Sequence, residues 1–497
     1  MAHDHELRSL HKMVILLWGM CFLTGCPQSV ESVLEDSATE GNTDTENVSE
    51  NVSVLVVNDD PLAVAIENQW NTRAIGTVTV ETTTAEQVGA QIRAGKLTTD
   101  LIVYPSYLLG ELVEHGAIVP VPDHVQQDSR FGLADLVPML RLHEAKWGSK
   151  LFASSFGSPS LVVYYRSDLL EASQLDVPTS WEDYGEVAAS LATGDLLRPN
   201  VSDHTTVESK VYAIAEPLAP GWAGQMLLAR AAAYVKHRNN YSAFFHYRTM
   251  EPLIDSPPFV RALEELAAAA RLAPPDILQM TPADVRALFE KGGCALAITW
   301  PSHSPHADVD EVAGPLVIGF AELPGSADVY HIQDKQWQQR ADGEEPQVPL
   351  LGVAGRLISI TSVSRRSRSA AGALSWLTSE ELGPTISPHS QYTGICRMTQ
   401  LSQTGDWFPG WVSPAATRQY SDVIATSQTR EAWLCSVRIP GRDRYMAALD
   451  RAVHQTVQGE SSATKALQTA AREWHETTTE LGIEQQSAAY RHSIGLD

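Results

Sequence analysis

Cysteine is scarce, with five in 497 residues. So few cannot frame a scaffold of disulfide-built small domains, and no spacing among them resembles a zinc site. Excess positive charge is absent too. Lys and Arg total 36 against 60 Asp and Glu, a formal charge of −24, which argues against a nucleic-acid binder with a broad basic face. Aromatic residues make up 7%, modest for a dedicated oligosaccharide binder. There is no Gly-x-Ser-x-Gly elbow and no Walker loop, so two common hydrolase and nucleotide-binding classes have no support. Carboxylates are plentiful, but no spacing selects a glycosidase pair. No repeat of solenoid or propeller period is present. What the chain does have is a 43% hydrophobic fraction, enough to bury sizeable cores. Its length suits about three domains or two large lobes.

The N-terminus reads as a leader. Arg8 and Lys12, diluted by Asp4 and Glu6, precede an apolar run from Met13 to Leu23. That run is too short to span a bilayer, which takes about 20 helical residues, and it reads as a secretory signal. It ends in Leu23-Thr24-Gly25-Cys26. These four residues resemble the bacterial lipobox, which implies cleavage after residue 25 and lipid attachment at Cys26. Residues 1–25 are then a lipoprotein signal peptide and 26–51 an acidic flexible tether. The tether holds Glu31, Glu35, Asp36, Glu40, Asp44, Glu46 and Glu50 with no Lys or Arg. Such a segment buries too little apolar surface to offset its ordering entropy, so it serves as a solvated spacer from a membrane surface. Of the remaining cysteines, Cys294 sits in an apolar strand pattern and reads as a buried thiol. Cys396 and Cys435 are the candidate disulfide in an oxidising compartment. Four Asn-x-Ser sequons, at Asn47, Asn51, Asn200 and Asn240, read as chance beside a bacterial-type leader. The lone pair His303-x-x-His306 lies in a Pro/Ser loop and does not make a metal site.

The folded part alternates strands with helices. Val54–Val57, Leu101–Tyr104, Leu161–Tyr164, Ala295–Ile298 and Leu357–Ile360 are continuous apolar runs, the pattern of strands covered on both faces. Between them Phe259, Leu263 and Leu266 recur at helical spacing. So do Met446, Leu449, Val453 and Val457, and Leu467, Ala471 and Trp474. Thr179-Ser-Trp-Glu182 has the form of a capping box, and Thr281-Pro282-Ala-Asp284 places a cap, a first-turn proline and an acid in order. The alternation predicts an α/β architecture. The polar stretch 326–349 reads as an exposed insertion.

Four stretches carry a resemblance. The first is Thr99-Asp-Leu-Ile-Val-Tyr-Pro-Ser106, followed by a helix pattern and the exit Val119-Pro-Val-Pro-Asp123. The second and most specific is Gly157-Ser-Pro-Ser-Leu-Val-Val-Tyr-Tyr-Arg-Ser-Asp-Leu-Leu170, continuing to Pro178-Thr-Ser-Trp-Glu182. The third is Leu288-Phe-Glu-Lys-Gly-Gly-Cys-Ala-Leu-Ala-Ile-Thr-Trp-Pro-Ser302, and the fourth Gly352-Val-Ala-Gly-Arg-Leu-Ile-Ser-Ile360 with Ala370-Ala-Gly-Ala-Leu-Ser-Trp-Leu377. Together they resemble the extracellular solute-binding proteins of ABC importers, in the branch that includes maltose- and oligosaccharide-binding proteins, over about residues 52–480. The chain departs from that pattern at Arg166-Ser167, in place of Asn-Lys, and at Gly352 and Gly355, which are adjacent in the family.

The resemblance implies a two-lobed periplasmic-binding-protein type II fold with discontinuous lobes and a hinge. Residues 52–157 and 301–380 would form lobe I, and 158–300 with 381–497 lobe II. Crossings would fall near 156–160, 299–302 and 378–384. A small solute, a carbohydrate, would be captured in the cleft and delivered to membrane permease subunits by a monomer anchored through Cys26, at the periplasmic or outer face of a membrane. No cofactor, metal, nucleic acid or catalytic residue is implied. A sensor-coupled receptor of the same fold, or a cell-envelope enzyme, is the alternative; a neighbouring sensor-kinase gene, or turnover without a partner, would mark them.

Candidate ligand contacts follow from strand ends and crossings. Tyr104 and Ser106 lie just past a strand's C-terminal end, where open α/β sheets bind ligands. Ser155 and Ser158, with Ser154, border the first crossing. Trp300, followed by Ser302, could stack on a sugar ring, and Trp222, between Gly221 and Gly224, could form a second platform. Gly352 flanks the fourth stretch, where Arg356 could hold an anionic group or make a surface ion pair. Trp70 reads as helix packing, and Trp407 and Trp411 as a late aromatic loop over the cleft mouth or in a lobe core.

Overall fold

The computed structural model describes residues 51–73, 76–194, 210–302 and 316–496. The leader, the tether with Cys26, Asn200 and the His303/His306 pair lie outside the described residues.

Nine strands build two sheets. In chain order they are β1 (Val52–Val57), β2 (Val78–Thr83), β3 (Leu101–Pro105) and β4 (Ser154–Gly157), then β5 (Val162–Arg166), β6 (Tyr212–Ala215), β7 (Cys294–Thr299) and β8 (Ile318–Glu322), and lastly β9 (Arg356–Ile360). The first sheet has the order β2-β1-β3-β9-β4, the second β8-β5-β7-β6. β1, β2 and β3 run parallel, and β9 lies antiparallel between β3 and β4. In the second sheet β6 and β7 are parallel and β5 is antiparallel to both β7 and β8.

All five continuous apolar runs are strands. β3, β7 and β9 are buried along their whole length, as covered strands must be. β2 escaped that reading because it is an edge strand whose residues alternate between exposed and half-buried. Helices cover the faces. Helix 60–73 brings Trp70 edge-on to Trp376 at 5.3 Å between ring centroids, the packing role expected of it. Helix 223–235 is buried at every one of its 13 residues. Its alanine-rich sequence permits that, because small side chains let helices 257–270 and 442–457 approach on several sides. The box at Thr281 and Asp284 forms as read. The other shifts by one residue: Ser180 is the cap and Asp183 its partner, while Thr179 adds a further bond to Asp183. No helix of the described residues is long and apolar enough to cross a membrane.

The chain passes between the sheets three times. The first passage is 158–161. The second comes after a hairpin, Asp328–His331 with Gln336–Gln339, and leads through Leu350–Leu351, which pairs with Leu434–Cys435, into β9. The third runs from Tyr392 into the stretch 398–407, packed on helix 414–427 beside β8.

Two lobe boundaries therefore differ from expectation. No passage occurs at 299–302: Trp300 leaves β7, and the chain rejoins the same sheet at Ile318, where β8 pairs with β5 over five residues. The half-exposed end of β8 hid it as a strand. Likewise 383–393 stays with the first sheet, because Ser390 Oγ donates to the buried Asp59 carboxylate. The expected disulfide is also corrected. Cys396 and Cys435 are free buried thiols. The Cys396 thiol faces Gln400 Oε1 at 3.5 Å, and Cys435 packs with Met139 and Leu351. Asn240 is buried, its Nδ2 donating to Val235 O and Tyr330 O, which leaves that sequon no room for a glycan.

Candidate functional site

The three passages meet at one point. A Cβ built on Gly157 would lie 2.1 Å from Gly394 O, one on Gly394 2.9 Å from Pro159 Cα, and one on Gly355 2.8 Å from Ser158 Oγ. At this junction stands Glu144, 3% exposed, on a one-turn π-helix spanning Leu140–Glu144. Ser158 Oγ donates to its Oε1 at 2.7 Å. Ser106 and the Gly352 N–H also face the carboxylate, and Arg438 Nη1 donates to the Glu144 carbonyl at 2.8 Å. Burial pushes the carboxyl above its ordinary range, while these partners and the Arg438 charge oppose the shift. Gly157 combines φ +130° with that backbone approach. Gly157→Ala is therefore expected to lower stability by about 2–4 kcal/mol, from a strained backbone plus overlap. Urea unfolding measures it, and an unchanged midpoint would contradict the close approach.

The C-terminal ends of β1, β2 and β3 form an edge of the first sheet. Asn58, at φ +53°, turns the chain out of β1; Asn tolerates that region better than most residues. Its Oδ1 accepts from Ala85 N at 3.2 Å, fixing the start of helix 85–93. Thr84 caps the same helix through a reciprocal bond with Gln87. Asp59 and Asp60 begin helix 60–73. Asp59 is buried and paired with Arg356 at 2.7 Å, and Arg356 Nη2 donates to Asn58 O at 3.1 Å. The guanidinium also lies 4.4 Å from the centroid of the Tyr392 ring. One cation thus holds the exit of β1 against the loop 389–392. Between that loop, Asn58–Asp60 and Thr82–Thr84 is a polar cavity of about 510 Å³, within the size range of small-molecule sites.

The second lobe contributes an aromatic pair: Trp300 directly follows β7 and Trp222 precedes helix 223–235. The Trp222 and Trp300 rings lie 5.6 Å apart, tilted by 50°. Trp300 Nε1 donates to Gln391 O at 2.9 Å, and Arg286 Nη1 donates to Trp300 O at 3.1 Å. Gln391 belongs to the loop that lines the cavity. The indole of one lobe is thereby joined to the polar pocket of the other.

The residues singled out from sequence fall into two groups. Ser106, Ser158 and Gly352 gather around Glu144 at the junction, with Ser155 beside them: Ser155 Oγ donates to Arg356 O at 3.2 Å and Ser106 Oγ to Ala354 O at 2.5 Å. Trp222 and Trp300 form the pair, and Ser302 follows, buried. Tyr104 joins neither group. Its hydroxyl bonds Ser359 Oγ at 2.7 Å inside the sheet, whereas Ser106 lies past the strand end, at the start of a short 3-10 turn. Arg356 is a buried structural cation rather than a surface one. Sequence reasoning missed Asn58, Asp59 and Gln391. The first two follow β1 as Ser106 follows β3, so the strand-end rule was a usable signal. Gln391 acts through its backbone carbonyl, which leaves no trace in side-chain chemistry. Among the described residues no group of three or more His, Cys, Asp or Glu could hold a metal ion.

Comparison with solved structures gives the same architecture. An ABC-transporter solute-binding protein from Agrobacterium vitis S4 with bound D-mannitol is 17% identical, over 87% of this chain and 99% of that one, with a TM-score of 0.62. The sugar-binding protein MalE from Xanthomonas citri is 14% identical over 87% and 98%, with a TM-score of 0.63. Maltose-bound MalE3 of T. maritima is 14% identical over 86% and 99%, with a TM-score of 0.60. These likenesses establish the two-lobed fold. A family model matches residues 68–395. The chain belongs to the bacterial extracellular solute-binding protein family.

Proposed function

We propose that this protein is the substrate-binding component of an ABC importer, anchored through Cys26, and that it captures a small carbohydrate or polyol between its lobes. The observation that carries the reading is the bond from Trp300 to Gln391, which ties the indole edge of one lobe to the loop that lines the polar cavity of the other. Sugars need both: C–H faces stack on aromatic rings and hydroxyls bond neutral polar groups. Similar solute-binding structures hold D-mannitol, ribitol, maltose and tagatose, the same chemical class. Lobe movement at the junction of the three passages would close the cleft and present the liganded form to a permease. Nothing in this chemistry consumes the ligand, so the solute leaves as it entered.

Thermal unfolding with mannitol, ribitol, maltose, amino acids and inorganic anions tests the reading. A ligand at 100 times its Kd adds about 2.7 kcal/mol. The expected result is a rise of a few degrees with one sugar or polyol, recovered unchanged. A rise with amino acids alone would reject the carbohydrate class, and conversion of the ligand would reject a binding role.

A further inference from the structure

We infer that the protein has a second site, for a short carboxylate with an apolar tail, built on Lys236 and Trp433 and separate from the polar cavity. The pocket holds about 90 Å³ and is walled by Lys236, Phe244, Trp433, Val437, Ile439 and Ile494.

Lys236 follows the buried helix 223–235, and its Nζ lies 5.5 Å from the Trp433 ring centroid. Among the described residues no carboxylate pairs with it. Burial alone lowers its affinity for a proton, with no acid near enough to restore it. The basic side chains that act on this corner are Lys236, Arg438 and Lys146. His143 stacks on Trp433 at 4.0 Å between centroids. Burial and the nearby Arg438, Lys146 and Lys236 charges push the imidazole down to about 4. Glu144, the neighbouring acid, is committed to Ser158 at the passage junction. Arg438 is spent on the carbonyls of Glu144 and Ser493. A chain of net charge −24 thus concentrates cations around a cavity with apolar walls.

A half-buried ammonium without a counter-ion is costly. An incoming carboxylate would remove that cost through a charge-assisted hydrogen bond. The walls would take a hydrocarbon tail, and Trp433 a flat face. A cavity that admits benzene is about 150 Å³, so 90 Å³ holds roughly four heavy atoms, the size of acetate, with propionate one heavy atom larger. A sugar fits poorly because it is larger than the cavity; the hydroxyls of Ser436, Tyr490 and Ser493 on its wall are already bonded within the protein. The polar cavity used by the importer reading shares none of these walls, so the two stand or fall separately.

Propionate is the probe. Titration of the protein followed by calorimetry and tryptophan fluorescence should give saturable binding, and saturation-transfer NMR should light up the propionate methyl group. Sodium chloride, phosphate and mannitol at matched ionic strength serve as controls. Lys236→Met, which keeps the stem and removes the charge, should weaken binding at least tenfold. Trp433→Leu should abolish the fluorescence response. The inference is overturned if wild-type protein gives neither saturation nor NMR transfer up to 50 times the concentration expected for millimolar binding. It is equally overturned if Lys236→Met, folded by circular dichroism, binds propionate as well as wild type, or if chloride competes on equal terms. The NMR arm needs no variant, so misfolding of either one does not shelter the idea.

Discussion

Arg356→Met is expected to lower stability by about 3–5 kcal/mol, the usual loss when one partner of a buried ion pair is removed. The guanidinium and the Asp59 carboxylate are both almost fully buried, so the variant leaves an uncompensated carboxylate inside the first lobe. Asp59 would keep the Ser390 hydroxyl and the Leu62 N–H, which are too weak to replace a cation. The same change removes the bond to Asn58 O and the contact with the Tyr392 ring. Loop 389–392 would then be held to the exit of β1 only by the Ser390 bond to Asp59, and ligand affinity should fall together with stability. Neutralising both partners, as Asp59→Asn with Arg356→Met, should recover part of the loss, since no lone charge remains. Urea unfolding of the two singles and the double gives the coupling. A single-variant loss below about 1 kcal/mol, the range of exposed pairs, would show that water reaches this pair.

Trp300→Ala should have a comparable effect on folding and a larger one on binding. Truncating a buried tryptophan costs about 3–5 kcal/mol, and Trp300 is 2% exposed. The variant also frees Gln391 O and strips Trp222 of its ring partner. A sugar that raises the wild-type unfolding temperature should have no effect on it. Trp300→Phe separates the two roles: it retains a ring for stacking and loses only the N–H bond to the other lobe. Its ligand-dependent shift should be reduced but present. Unchanged affinity in Trp300→Ala would reject the aromatic platform, whatever the stability change.

Local signals in the sequence were legible where the physics is local. Continuous apolar runs marked strands buried on both faces, and the Thr281-Pro282 start marked its helix to the residue. Trp222 and Trp300 could be singled out because an aromatic at a strand or helix end is visible in one dimension. Their mutual contact was not, because the two residues lie 78 positions apart and meet only through the sheet. β2 and β8 were missed for the opposite reason: edge strands share their faces with water and carry no continuous apolar pattern. Missing β8 then misplaced the second lobe boundary. Glu144 had no signal at all. An acidic residue in a polar stretch reads as solvated, and its burial is decided by three distant glycine and serine segments converging on it.

The position of β9 has a kinetic consequence. It fills the middle of the first sheet, hydrogen-bonded on one side to β3 and on the other to β4, yet it is separated from β4 in the chain by the whole of the second sheet. A polypeptide emerging from its N-terminus therefore presents β1, β2 and β3 long before the strand that completes them. Until residue 360 is available, the hydrogen-bonding edge of β3 is open and able to pair with a neighbouring chain. Closing such distant segments is slow, because loop entropy is lost before the contact is gained. The lobe that carries the polar cavity is thus the last of the two able to finish its sheet, and a cell making this protein has reason to keep the unfinished chain occupied by a holdase until then.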